Sequence, residues 1–243
     1  LSGGLNLNSF TGKIDVNHLA GTTTWEDTFI ERGAYTIYAE AKAILEQDME
    51  MGYVYKGSFA GEGALELTSG KFTLDAASVG YSGTFTVGAG TSLTLINAES
   101  LYAASVNVAG TLAIETDTSV ATVAMEEGGQ LLLSTDNMFT VREEITGNVA
   151  ISIATLPNEV GDWEIMALPA NTTATFLPLL NETSTADDFI AFLSQTEDRL
   201  ILSLRPTTDI AWARKDATTG ADVWNIYGTP EVATVTAEKC VWL

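Results

Sequence analysis

One cysteine, Cys240, and one histidine, His18, are all that 243 residues hold of the two residue types behind most metal and redox sites. A lone thiol has no partner in the chain for a disulfide and no companion for a zinc site, so no metal centre is expected. Basic residues are scarce as well: 11 Lys and Arg stand against 32 Asp and Glu, a formal net charge of -21. Such a field repels phosphate backbones and anionic lipid, which argues against nucleic acid as a partner. No apolar run approaches the ~18 residues of a spanning helix, so no integral membrane span is expected. Neither a start Met nor a charged leader precedes Leu1, so any export signal is expected to lie outside this sequence. The sequence also lacks GxSxG, HExxH, a glycine-rich phosphate loop, an EF-hand loop and the GGxGxDxUx calcium repeat. No cofactor and no catalytic residue is predicted.

What is present is apolar and periodic. Hydrophobic residues make up 46% of the chain and the mean hydropathy is +0.15, ample for a folded core. A Gly followed by apolar, any, apolar recurs as GALEL at 63–67, GTSLTL at 90–95, GTLAI at 110–114, GGQLLL at 128–133 and GNVAISI at 147–153. Of its leading apolar residues, Leu65, Leu93, Leu112, Leu131 and Val149, the last four are 19, 19 and 18 apart. The gap of 28 from Leu65 to Leu93 is read as a longer coil carrying the extra KFTL. Before these members stand GTFTV (83–87), ASVNV (104–108), ATVAM (121–125) and MFTV (138–141).

Within each segment the period is two, so side chains alternate between faces. Phe85, Val87, Val106, Val108, Val123, Met125, Phe139 and Val141 then share the inner face with Leu93, Leu95, Leu112, Ile114, Leu131 and Leu133. Thr86, Asn107, Thr94 and Ala113 point outward. A pair of short strands cannot bury its apolar face alone, whereas copies stacked about 4.8 Å apart enclose a continuous core. The spacing therefore predicts an all-β fold, a parallel β-solenoid. An antiparallel sandwich also has short strands and frequent turns, but the steady interval and the lack of Asn-Gly or Asp-Gly hairpins favour the solenoid.

The pattern divides the chain. Residues 1–20 read as a partial coil, with Leu5, Leu7, Ile14 and Val16 inward, which leads us to expect a piece of a longer protein. Residues 21–56, rich in Ala, Glu and Leu in the middle, read as an insertion, either helix or strand. Because insertions on solenoids often form the binding face, Trp25, Tyr35, Tyr38, Tyr53 and Tyr55 are the first candidate ligand contacts; packing of these rings onto the coil is the competing reading. Residues 57–206 are the β-solenoid, most regular at 57–154. Within them STADDFIAFLSQ, with Ser184 or Thr185 as N-cap and Phe189, Phe192 and Leu193 at helical spacing, predicts one short helix. Residues 207–243 form a separate C-terminal segment. His18, in VNHLAG, reads as a plain turn residue.

NSFTGKIDVN at 8–17 and YSGTFTVGAGTSLTL at 81–95 resemble the autotransporter-associated β-strand repeat of bacterial autotransporter passenger domains. GDWEIMALPANTTATF followed by RLILSL is similar to the segment closing such an array, and IAWARKDATTGADVWNI to the Trp-containing opening of the next. The resemblance implies a right-handed parallel β-helix on a bacterial surface, a stalk or adhesin, extracellular in location. The expected function is thus a non-enzymatic structural or adhesive module, with recognition by the insertion or by the regular Thr-lined flank. Host or matrix glycans or proteins are the implied partners, along with homotypic end-to-end assembly into a filament. A carbohydrate-active enzyme is the alternative from another class. Its candidate acid pairs, Glu126 with Glu127, Glu143 with Glu144 and Asp187 with Asp188, are adjacent in sequence. Lyases and glycosidases need carboxyls that face each other across a substrate.

Overall fold

A computed structural model describes residues 15–26, 33–48, 52–170, 172–178, 189–206, 211–215 and 222–226. Strands stack in parallel through about six turns of a β-solenoid. Each turn contributes up to three stretches of pairing, here called walls.

On the first wall, the start of β2 (Ala34–Gln47) carries β4 (Ser58–Gly61). Further along, the starts of β8 (Leu101–Val108), β10 (Thr118–Met125) and β12 (Phe139–Thr146) stack on one another. The second wall holds the end of β1 (Val16–Glu26), whose start lies on the first wall beside the start of β2, then the end of β2, the start of β5 (Ala64–Leu74), β6 (Thr84–Val87) and the ends of β8, β10 and β12. On the third wall stand β3 (Tyr53–Tyr55), the end of β5, β7 (Ser92–Leu95), β9 (Thr111–Ile114), β11 (Gln130–Leu133), β13 (Asn148–Ile153) and β15 (Thr175–Pro178). Register shifts between His18 and Ala20 and between Val120 and Thr122 fall where a long strand passes from the first wall to the second.

Every inward residue named from the alternation between Phe85 and Val141 is buried. The pairing nevertheless corrects the phase in three places. Leu131 lies opposite Ile151 rather than Val149, so that interval is 20 residues. Leu65 stacks on Phe85, and the true predecessor of Leu93 is Phe72 of KFTL, which is an ordinary third-wall strand and no extra segment. Phe139 and Val141 pair with Thr118 and Val120 on the first wall, not with the second-wall residues Val123 and Met125. Apolar alternation looks alike on every wall, so spacing alone leaves the wall undecided.

Residues 21–56 are not an insertion in their described part. β1 and β2 run parallel over most of their length, and β2 goes on to pair with β4 and β5. Tyr35, Ile37, Ala41, Ala43, Leu45 and Gln47 of β2 are buried, while Tyr38 to Glu40 are exposed where the strand bends. Period two therefore prevails over the Ala-rich composition that suggested a helix, because the neighbouring strands provide the backbone partners.

The predicted helix is also absent. Phe189–Gln195 is strand β16, antiparallel to β17 (Arg199–Pro206), which is antiparallel to β14 (Gly161–Ala167). Ser184 to Asp188 lie outside the described residues, as do Leu5, Leu7, Ile14 and Cys240. The hairpin ends the parallel stack on this side: β14 meets β12 through Met166 and Ala167 and gives its other edge to β17. Leu200, Leu202 and Leu204 close the core beneath Ile165 and Met166, all buried. Outside, Asp162 accepts from Arg205 Nη2 at 2.6 Å and from the Ser203 hydroxyl. The Ser203 bond, followed by Arg205, holds the Asp162 carboxyl below its usual range. Of 207–243, two strands are described, β18 (Ala211–Lys215) and β19 (Asp222–Ile226), paired antiparallel.

Aromatic residues cluster in the core around Phe59. Phe59 lies 4.9 Å from Tyr55, 6.3 Å from Phe72 and 6.3 Å from Phe85 between ring centroids, distances at which such rings attract. The Tyr-x-Gly corner repeats at two levels: Tyr55 OH donates to the carbonyls of Gly33 and Ser58, and Tyr81 OH to those of Gly63 and Thr84. Gly83 is needed after Tyr81, since a Cβ there would lie 2.8 Å from the ring. Tyr81→Phe keeps the ring but removes the single proton shared between the buried Gly63 carbonyl and the part-buried Thr84 carbonyl, and should cost about 1–2 kcal/mol in a denaturant melt. An unchanged midpoint would mean that water reaches this corner.

Candidate functional site

The five candidate aromatics do not form one exposed patch. Tyr35 and Tyr55 are 1% and 0% exposed, and burial pushes both phenols above their ordinary range. Trp25 is half-buried with its indole N–H donating to Tyr35 OH at 3.2 Å, and half-buried Tyr53 stacks on Phe72 with centroids 5.9 Å apart. Only Tyr38, 47% exposed, is free to meet a ligand in the manner expected. The inward phase of β1, β2 and β3 explains this: rings at Trp25, Tyr35, Tyr53 and Tyr55 fall on core positions.

His18 is corrected from a turn residue to a half-buried member of β1. Its Nδ1 lies 3.1 Å from Tyr35 OH and its Nε2 3.3 Å from Thr23 Oγ1. Desolvation lowers its pKa, against weaker opposition from backbone at Ala20 and Gly21. A lowered folded value means that the unfolded chain takes up the proton first. Stability from neutral His18 is present above the unfolded value, about 6.5, and is lost as pH falls from there through the lower folded value. Acidification over that window should loosen β1 ahead of the rest, read as faster amide exchange at Val16–Glu26. Equal exchange rates across the window would contradict this placement.

Two of the acid pairs lie among the described residues, and both are solvent-facing. Glu126 and Glu127 occupy the turn after β10 and line a depression of ≈ 640 Å³ with Gln130, Asn148 and Leu177. Glu143 and Glu144 are exposed in β12, where Arg142 approaches Glu143 at 3.8 Å. Asp187 and Asp188 lie outside the described residues. Among the described residues no group of three His, Cys, Asp or Glu could hold a metal ion. No helix among them is long and apolar enough to cross a membrane.

The surface that sequence reasoning named only in general terms, the Thr-lined flank, resolves into two different walls. Outward positions of the second wall form ladders across successive turns, Thr84, Ser105 and Thr122 beside Thr86, Asn107 and Ala124. That wall also holds charge, including the ion pair of Lys42 with Glu66. The third wall differs. Across β3, β7, β9, β11, β13, β15 and the end of β5, Lys71 is the only charged residue. Its outward ladder runs Thr73, Thr94, Ala113, Leu132, Ser152. This distinction was readable in SLTL, TLAI, QLLL and NVAISI, but only the register shows that they are neighbours.

A depression of ≈ 340 Å³ runs along the corner between the second and third walls, past Gly70, Gly90, Gly110 and Gly128. Gly90 and Gly128 leave the backbone open at this corner, whereas Gly70 and Gly110 stand against carbonyls of the neighbouring turn. No family model, no curated protein and no solved structure matches the chain.

Proposed function

We propose that the chain is a non-enzymatic display or adhesive module of an exported bacterial surface protein, of the autotransporter-passenger type, and works outside the cell. The observation that carries this reading is that the turns enclose a continuous apolar core. From Tyr35 to Leu204 it is occupied by buried side chains, so chemistry with a partner belongs to the outer faces. A stack whose backbone groups pair turn to turn is stiff and holds its outward ladders in fixed register, as a projecting scaffold requires. The resemblance of YSGTFTVGAGTSLTL adds to this, since that stretch supplies a corner and two walls of one turn: Tyr81 ties the corner, and Phe85, Val87, Leu93 and Leu95 fill the core.

The hairpin of β16 and β17 favours display over filament growth by addition of turns, because β17 takes the edge of β14 that a further turn would use on that wall. A glycan array combined with a reducing-sugar assay tests the reading. Binding without turnover is expected. Release of reducing ends from any polysaccharide, lost in Glu126→Gln or Glu127→Gln, would replace it with the carbohydrate-active alternative.

A further inference from the structure

We infer that the third wall is the binding face for an uncharged, extended polysaccharide lying along the solenoid axis. The inference deepens the display reading and rests on it in one respect, that recognition at this wall occurs without turnover.

Charge is the first argument. In a chain of net charge -21, an entire wall built from seven successive stretches of strand carries one ionic side chain, Lys71. Acids stand instead at its two borders. Glu126 and Glu127 occupy the corner with the second wall, while Asp75, Glu115 and Asp136 follow the ends of β5, β9 and β11 on the other side. An anionic polymer laid on the strip would meet both borders, and a second copy of the chain would bring like charge against like. A neutral chain meets neither penalty.

Hydrogen-bonding capacity is the second. Backbone groups of the interior strands, the end of β5, β7, β9, β11 and β13, are committed to the turns above and below, so a peptide laid across this face cannot add as a strand and only side chains are on offer there. Those side chains are hydroxyls and an amide, Thr73, Ser92, Thr94, Thr111, Gln130 and Ser152, with Gln130 Nε2 already donating to Ser152 Oγ, and beside them lies the half-buried apolar Leu132. Such a mixture suits a sugar ring, which has hydroxyls at its rim and C–H groups on its faces. The ladder repeats about every 4.8 Å, close to the rise of one unit in an extended β-linked glycan. One sugar per turn then meets the ladder, with alternate units presenting opposite edges because successive β-1,4 units are rotated by half a turn, so the same groups recur at every second turn. The corner depression beside Ser92 and Thr111 gives the chain an edge to lie against.

The test is retention of the full chain on microcrystalline cellulose and on chitin, with immobilised heparin as the anionic control. Retention on at least one neutral polymer is expected, and it should survive high salt because no ion pairs are involved. Thr94→Glu and Thr111→Glu should each weaken it at least about tenfold, while Thr86→Glu on the second wall leaves it unchanged. Thr94→Val keeps the β-branched shape and so the fold, and should weaken binding several-fold by loss of one hydroxyl. Thermal melts establish that each variant is folded. Absence of retention on both neutral polymers, retention abolished by salt, or equal loss in Thr86→Glu would overturn the inference. Soluble sugar released from retained polymer would overturn the display reading while leaving the binding face in place.

Discussion

Replacing Leu112 by Asp should unfold the middle turns of the solenoid. Leu112 is 0% exposed and lies between Leu93 of the preceding turn and Leu131 of the next. The substitution removes a side chain whose burial is worth about 1.5–3 kcal/mol and leaves a carboxyl with no partner in an apolar column. The carboxyl can avoid ionising only by a large upward pKa shift, which itself draws on folding energy. A loss of more than about 4 kcal/mol is expected, seen as a collapsed urea midpoint or as insoluble expression. Retention of the wild-type midpoint would mean that Leu112 faces outward and that the register of the third wall is wrong by one residue.

A pair of glycine substitutions separates backbone conformation from stacking. Gly70 and Gly90 have nearly the same backbone, with φ of 73° and 77°. At Gly90 a Cβ would meet nothing within 4 Å, whereas at Gly70 it would sit 1.4 Å from the carbonyl oxygen of Gln47 on the turn below. Gly90→Ala should therefore cost only the left-handed conformation, about 1–2 kcal/mol. Gly70→Ala adds an overlap that is relieved only by moving β5 away from β2, and should cost more than about 3 kcal/mol. Equal melting temperatures for the two variants would show that the turns at Gln47 and Gly70 are not in contact.

Much of the architecture follows from the sequence because the relevant forces are local and repetitive. Alternation at Phe85 and Val87, at Leu93 and Leu95 and at Leu131 and Leu133 fixes an inner and an outer face for each strand. No partner strand is needed to see it. The near-constant interval from Leu93 to Leu131 adds that the copies stack. Neither signal says which wall a strand joins, so by sequence alone KFTL reads as an extra segment and MFTV groups with ASVNV and ATVAM. AYTIYAEAKAILEQ stays open between helix and strand, and FIAFLSQ reads as a helix, for a related reason. Their Ala, Glu, Phe and Leu are compatible with a helix, and only pairing of β2 with β1, β4 and β5, and of β16 with β17, decides for strand.

The candidate site divides in the same way. Aromatic residues between Trp25 and Tyr55 are conspicuous in the sequence, yet their exposure depends on strand phase, and in four of the five the ring turns toward the core. The absence of charge from SLTL, TLAI, QLLL and NVAISI is equally plain in the sequence but means little while those stretches are about 20 residues apart. What the sequence by itself determined is the repeat and its inward faces, because side-chain alternation is a property of the strand alone. Only the tertiary structure decided that these uncharged stretches make one wall bordered by acids, because parallel register sets which outward side chains become neighbours.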